Sequence, residues 1–443
     1  MSVSPSAESI GRLVAARPLK NLARQVAETR AVTASGLWGS SVAAVTGAME
    51  RELRRPILVV CGHVDEVDDL ADDMELFHGR RPETLPALEL GGSLGRASEE
   101  QVSNRLQLIQ RLVLQGSGVR GQGSANASSL TPRPSPLAPM LLVAPIQAIM
   151  QSVPSREGLA ELVKTLRTGQ SMEPEKLIVW LSDHGYNRLD QVEVPGDFAV
   201  RGGIVDIYVP GEFEESGETF GLTVRVDFFG DQIESIKKFD LDSLGSQSAL
   251  ESVSILDLKG QLPDTGSSTH LFSYLPEDTI VVLWAPLEIA EQAKSFFDRL
   301  PEVKGIYPLA AVLRHASDFA RVELSQFDQG TTAMGSLVGG KEVAHVNLPV
   351  HSLQRFETEA KKAMAELAEL AATHDVTVFC ENAGEHKRFS ELLEQDQPGL
   401  LKKLDVHIGY LHRGFVWDES ITGVSPVSEH PGTGEAPAIR KPI

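Results

Sequence analysis

Apolar residues recur along this chain with two periods, and the switches between them mark its organisation. Ile57-Leu-Val-Val-Cys61 is an uninterrupted apolar run between Pro56 and Gly62, the pattern of a strand buried on both faces of a parallel sheet. The acidic stretch 65–77 places Val67, Leu70, Met74 and Phe77 on one helical face. Residues 1–28 also have helical spacing, 88–90 read as a weaker strand, 99–114 as an amphipathic helix, and 141–144 as a buried strand stopped by Pro145. Strands alternating with helices predict an α/β fold with a parallel sheet. From Phe198 to Phe239 the period falls to two, with strands over 198–200, 204–209, 222–229 and 232–239. The helical rhythm returns with a strand at 280–284 and a helix at 287–300. Beyond the Gly-rich stretch 330–340, a helix (356–373), a strand (376–380) and a helix (386–393) predict a last, small α/β unit.

The reading is therefore a first α/β part over 1–153, a β-rich insertion over 154–245 and a second α/β part over 246–328. A linker over 329–350 leads to a small α/β domain over 351–424. Residues 116–139 and the tail 425–443 are rich in Ser, Gly and Pro and poor in large apolar residues, so both are expected to be disordered.

Composition narrows the function. Hydrophobic residues make up 42% and charged residues 23%, an ordinary globular balance. No apolar run approaches the length that spans a bilayer, and the first residues lack the apolar core of a signal peptide, so no membrane association is expected. Two cysteines, Cys61 and Cys380, cannot build a disulfide framework or a four-thiolate site; buried, reduced thiols and a cytoplasmic location are the inference. The formal charge of −20 opposes a tight grip on nucleic acid, although a local basic patch is compatible with it. Weak or no DNA binding alone, and a protein partner, are expected.

Catalytic patterns are missing. Gly335-Ser-Leu-Val-Gly-Gly340-Lys341 has the glycines and lysine of a phosphate loop but no following hydroxyl residue and no strand leading in. Gly36-Leu-Trp38-Gly39-Ser40-Ser41 precedes a helix but has no lysine; a turn with Ser40 or Ser41 capping the helix is the plainer reading. Asp65-Glu66 lies four residues past its strand and fits a solvated helix start better than a magnesium site. Gly91–Gly95 lacks dinucleotide spacing, and the scattered histidines form no metal motif. In the 222–229 strand, alternation puts Leu222, Val224, Val226 and Phe228 in the core and Thr223, Arg225, Asp227 and Phe229 opposite. Periodicity alone leaves two readings of the second face equally open. Arg225 and Phe229 form an interface hot spot, or Phe229 packs beneath a helix while Arg225 pairs with Asp227 or Asp231.

Several motifs in order carry a resemblance. His184-Gly-Tyr-Asn-Arg188-Leu-Asp190, Pro195-Gly-Asp197-Phe-Ala-Val-Arg201-Gly-Gly-Ile-Val-Asp206-Ile-Tyr, Arg225-Val-Asp227-Phe-Phe229-Gly-Asp231-Gln-Ile233 and Phe239-Asp240 are similar to the UvrA-binding domain shared by UvrB and the transcription-repair coupling factors (Mfd), more so to the latter. The resemblance implies a degenerate helicase-like (UvrB-like) parallel-sheet domain with an inserted α+β UvrA-binding domain, then a small α/β domain. It implies UvrA contacts at Arg201, Arg225 and Phe229. It also implies that Gly36, Gly39, Ser40 and Ser41 are a degenerate phosphate loop that binds no ATP, so that the chain is not an enzyme and uses no cofactor. Residues 90–100 lack the aromatic residues with which UvrB clamps damaged DNA. The chain stops where the family continues into its polymerase-binding and ATP- and magnesium-dependent translocase domains, so a separate chain supplying that motor is a possible partner.

Overall fold

A computed structural model gives the fold and describes residues 5–88, 99–116, 139–210, 221–241, 243, 245–258, 268–300, 303–327, 343–353, 356 and 359–418. Seven parallel strands form the main sheet, in the order β17-β1-β16-β15-β2-β4-β3. They are β1 (Ala31–Ser35), β2 (Ile57–Cys61), β3 (Glu83–Thr84), β4 (Leu141–Pro145), β15 (Ile280–Trp284), β16 (Ala320–Leu324) and β17 (Ala344–Asn347). The all-apolar run of β2 is explained by its central place. Leu58 and Val60 face one core while Ile57, Val59 and Cys61 face another, so neither side can carry a polar residue cheaply.

One face is covered by α1 (Pro5–Val14), α2 (Arg17–Glu28), α3 (Ser41–Leu53) and α4 (Glu66–His78). The expected stripe of α4 is there: Val67, Leu70 and Met74 are buried and Phe77 packs beside them. The other face is covered by α5 (Glu99–Gly116), α6 (Ile146–Met150), α9 (Pro286–Arg299) and α10 (Leu309–Ala316). Among the described residues no helix is long and apolar enough to cross a membrane.

Buried polar groups fix this core. Arg105 of α5 is wholly buried with no carboxylate beside it. Its Nη1 donates to the Pro86 carbonyl (3.0 Å) and its Nη2 to those of Ala148 (3.0 Å), Gln151 (3.0 Å) and Ser152 (3.4 Å). Burial pulls its pKa down to about 9. The strand expected at 88–90 is not formed at its described residue, Leu88. The Gln151 amide instead accepts from Leu88 N (2.9 Å) and donates to Leu88 O (2.7 Å), taking the place of a neighbouring strand.

A second buried network joins α3 to the end of α4: His78 bonds Glu50 and Thr46, and Arg80 bonds Glu50. Burial pushes the Glu50 carboxyl up. The hydrogen bonds and charges of His78 and Arg80 together outweigh this and hold it below its ordinary value of 4.5. A carboxyl depressed in the folded state stabilises at pH above its unfolded value, and that stabilisation is lost as pH falls through the folded one. The wild-type chain should therefore exceed Glu50→Gln in urea midpoint near neutrality, with the gap closing as pH drops below about 4.5. A gap independent of pH would contradict this.

Between α6 and β15 the chain passes through β5 (Val153–Pro154), α7 (Arg156–Leu162), capped by Ser155 accepting from Gly158 N, and an inserted domain. The insertion leaves through β6 (Val163–Arg167) and returns through β13 (Ser252–Leu256), which pair antiparallel. It is built on a six-stranded sheet in the order β12-β11-β10-β9-β8-β7. These are β7 (Asn187–Leu189), β8 (Asp197–Arg201), β9 (Ile204–Val209), β10 (Leu222–Phe229), β11 (Gln232–Phe239) and β12 (Ser246–Leu250), with α8 (Pro174–Asp183) burying Leu177 and Leu181 against the core. Strand 246–250, read above as opening the second α/β part, thus completes this sheet. β14 (Ser268–Thr269) pairs with β5 as the chain rejoins the main domain.

Residues 344–347, read above as linker, form the edge strand β17. Beyond it, α11 (Ala360–Thr373), β19 (Val376–Cys380), α12 (Ala383–Asp396) and β20 (Leu404–Ile408) enclose a small core of Met364, Leu367, Leu393, Leu400 and Leu404. β18 (Val350–Ser352) and β21 (Phe415–Trp417) tie this unit back, with Phe415 and Trp417 packed on the core of the main domain. The expected disorder at 116–139 and 425–443, and the loop Gly335–Lys341, fall almost wholly outside the described residues.

Candidate functional site

The alternation in β10 holds: Leu222, Val224 and Val226 are buried and Phe228 packs against the same core, leaving Thr223, Arg225, Asp227 and Phe229 on the opposite face. A register shift between Asp227 and Phe228 interrupts the β10–β11 ladder. Such irregularities re-aim the residues beyond them. Phe229 follows at the hairpin tip, 78% exposed. Gly230, with φ 59°, makes the turn to β11 in a region that a side chain rarely adopts.

The β8–β9 turn sits against this tip. Phe228 N donates to Gly203 O (2.8 Å), and a Cβ on Gly203 would lie 3.0 Å from Phe228 O, a tight contact that glycine avoids. Arg201, whose register partner is Ile204, is thereby brought to the same end of the sheet as Phe229. Arg201 is exposed, and its Nη2 donates to the Asp190 carbonyl (3.2 Å).

Arg225 lies further in. Its Nε donates to Asp206 Oδ1 (2.7 Å) and its Nη2 to Asp206 Oδ2 (2.9 Å), a bidentate pair across the β9–β10 ladder. The guanidinium also stands 4.9 Å over the Phe239 ring, and its side chain is 17% exposed. The Asp206 hydrogen bonds push the guanidinium further above its ordinary pKa. The two open readings are both resolved in part. Phe229 does not pack beneath a helix, and Arg225 pairs with Asp206 rather than with Asp227 or Asp231. Asp227 instead accepts from Ser235 (2.6 Å) and Lys237 (3.1 Å). Asp206 was not singled out from the sequence, because its role depends on the register of strands nineteen residues apart.

The turn Gly36–Ser41 connects β1 to α3, where a phosphate loop would sit. Most of its amides are already engaged. Gly36 N donates to Gln326 O (3.1 Å), Leu37 N to Ser325 O (3.2 Å), Trp38 N to Ser41 Oγ (3.1 Å) and Ser40 N to Arg413 O (2.9 Å). Arg413 N returns a bond to Ser40 Oγ (3.1 Å). A Cβ on Gly39 (φ 55°) would stand 2.5 Å from Gly414 O and 2.7 Å from Arg413 O. The strap before β21 therefore fills the cradle. The expected capping by Ser40 or Ser41 is not observed: Ser40 occupies the cap position but its hydroxyl binds the strap, and the Ser41 hydroxyl accepts from Trp38 N in the turn.

His412 fastens the same strap, its backbone N donating to Asp73 (2.9 Å) and its ring 2.9 Å from Asp69. Burial raises the Asp73 carboxyl pKa, against the pull of its bonds to Ser40 and His412. The loop has no lysine, and its Gly36, Leu37, Trp38, Ser40 and Ser41 amides are bonded within the chain.

Comparison with known proteins places these features in context. Residues 165–259 match the UvrB interaction domain family, which spans all six strands of the inserted sheet. The chain is similar to the transcription-repair-coupling factor of Bacillus subtilis, with 30% identity over 223 residues, 50% of this chain and 16% of that protein. The Escherichia coli factor is 26% identical over 192 residues (40% of this chain, 16% of that protein), and the Myxococcus xanthus factor 26% over 259 residues (56% and 19%). The matched stretch is thus less than a fifth of each relative. The chain carries a UvrB interaction domain, and the resemblance to transcription-repair coupling factors read from its motifs is shown by these relatives.

Proposed function

We propose that this chain acts in transcription-coupled nucleotide excision repair as a docking module for UvrA. The observation that carries the reading is Phe229, a large aromatic ring exposed at a hairpin tip with Arg201 at the same end of the sheet, within the UvrB interaction domain. Exposed aromatic and arginine side chains are the usual anchors of protein interfaces. In this reading Phe229 and Arg201 touch UvrA, and Arg225 contributes its outer edge while Asp206 and Phe239 hold it in place. The main sheet is the degenerate helicase-like domain, split by the interaction domain and followed by the small α/β unit.

Calorimetric titration of the chain with UvrA of the same host tests this. Saturable binding that disappears in Arg225→Ala/Phe229→Ala supports it; a folded chain that does not bind overturns it.

The described part is also proposed not to turn over ATP. The filled cradle supports this more strongly than the missing lysine does. Ser40→Lys would recreate a Gly-Lys-Ser sequence, yet is expected to bind no ATP, because the amides at positions 40 and 41 remain bonded within the chain and the Arg413 and Gly414 carbonyls crowd Gly39. Titration with a fluorescent ATP analogue checks it, and nucleotide binding by that single variant would show the strap to be no obstacle.

A further inference from the structure

Charge is segregated along this chain. Between Gly11 and Arg55 eight basic residues stand against Glu28, Glu50 and Glu52, a local net of +5 in a chain of −20. Glu50 is already engaged by His78 and Arg80.

The fold brings five of these cations, Arg17, Lys20, Arg24, Arg30 and Arg54, to one outer surface, while Arg12 pairs with Asp375 and Asp405 and Arg51 and Arg55 bond backbone carbonyls. Helix α2 buries Leu19, Leu22, Ala23 and Val26 against the main core. The opposite side then presents Arg17, Lys20 and Arg24, three and four residues apart and so in one stripe. Helix α2 leads into β1 and α3 leads out of it, so both run antiparallel to that strand and finish at the same edge of the sheet. Arg30 and Arg54 are exposed there. Arg54 caps α3 with φ 53°, a left-handed conformation that glycine takes without strain and arginine does not. Among the described residues Arg17, Lys20, Arg30 and Arg54 have no side-chain hydrogen bond or ion pair; Arg24 bonds Asn21 and lies 4.0 Å from Glu28.

We propose that this surface binds the phosphate backbone of duplex DNA, without regard to sequence. Four of the five cations carry no side-chain partner among the described residues, and such a row neutralises phosphates. The stripe has no aromatic ring on which unpaired bases could stack, which disfavours single strands and RNA. Its apolar residues face the core, which leaves nothing to enter a bilayer. The acidic remainder of the chain keeps the contact weak and strongly salt-dependent. The retention of a strained arginine at position 54 follows, since glycine there would lose one of the cations.

The test is fluorescence anisotropy of a labelled duplex of arbitrary sequence titrated with the full chain over a salt series. Saturable binding is expected at about 50 mM salt, weakening with a log–log slope of about −0.9 for each phosphate neutralised. Arg17→Glu/Lys20→Glu/Arg54→Glu should lose at least about tenfold in affinity and flatten the slope by about 2 to 3. Arg54→Gly should raise the thermal midpoint while weakening DNA binding, a pair of changes that general damage to the fold cannot produce. Absence of duplex binding at low salt, binding indifferent to the triple reversal, or preferential capture by phosphatidylserine vesicles or single strands would overturn the proposal.

Discussion

Phe229→Ala should weaken UvrA binding about thirtyfold or more, about 2 kcal/mol, and leave the unfolding midpoint where it was. The second half of that expectation comes from exposure. A ring 78% open to solvent has little contact with its own core to lose, so nearly all its value lies in what it meets in a partner. Arg225→Ala should behave differently. It also removes a contact edge, but it strands Asp206, which is buried and loses both of its arginine bonds. An unpaired buried carboxylate costs about 3 kcal/mol of stability. The pair of variants, read by calorimetry and urea unfolding, separates a residue that touches the partner from one that is also part of the scaffold. Asp206→Asn sharpens the comparison: it should loosen Arg225 and weaken binding without altering any atom of the exposed ring. Unchanged UvrA affinity in Phe229→Ala would remove the basis for placing the contact at the hairpin tip.

Arg105→Met should cost about 3 kcal/mol of stability without touching UvrA binding. Two effects oppose each other. Methionine relieves the cost of keeping a cation in the core, a cost visible in the arginine's pKa of about 9. It also leaves four carbonyls, from Pro86, Ala148, Gln151 and Ser152, without this donor in a dry interior. Each such loss is worth about 1 kcal/mol or more, so the carbonyls outweigh the relief. These carbonyls lie in two separate segments, which the guanidinium holds in register with α5. A urea midpoint within error of wild type would show that water or a shifted side chain replaces the arginine.

What the sequence revealed depended on how local the cause was. The apolar face of α4, the doubly buried β2 and the alternation of β10 follow from residues within a few positions of one another, and they were legible. Strand β16 was not, because it reads Ala-Arg-Val-Glu-Leu, and two charges argue against a central strand. In the structure Arg321 and Glu323 are both buried and form an ion pair at 3.1 Å on one face. Strand β17 was hidden for a related reason: His345 and Asn347 look like loop residues until Ser35 and Thr33 of β1 are seen to bond them. At the docking face the motif residues could be named, but their unequal roles could not, since the partner of Arg225 is set by strand register. The filled loop at Gly36–Ser41 was furthest from view. A missing lysine is visible in the sequence; a carbonyl arriving from position 413 is not.

The inserted domain hangs from the main sheet by the ribbon of β6 and β13, whose strands run from a common root at Val163 and Leu256. A pull at the far hairpin loads both strands along their lengths and in the same sense. Neither slides past the other, so the tension is borne by two covalent backbones and the cross-strand hydrogen bonds are left unstressed. The ribbon is thus a two-ply strap, stiff in tension, with Leu166, Val253 and Ile255 packed into the inserted domain's own core. A partner gripped at Phe229 would be tethered to the main domain through two backbones at once.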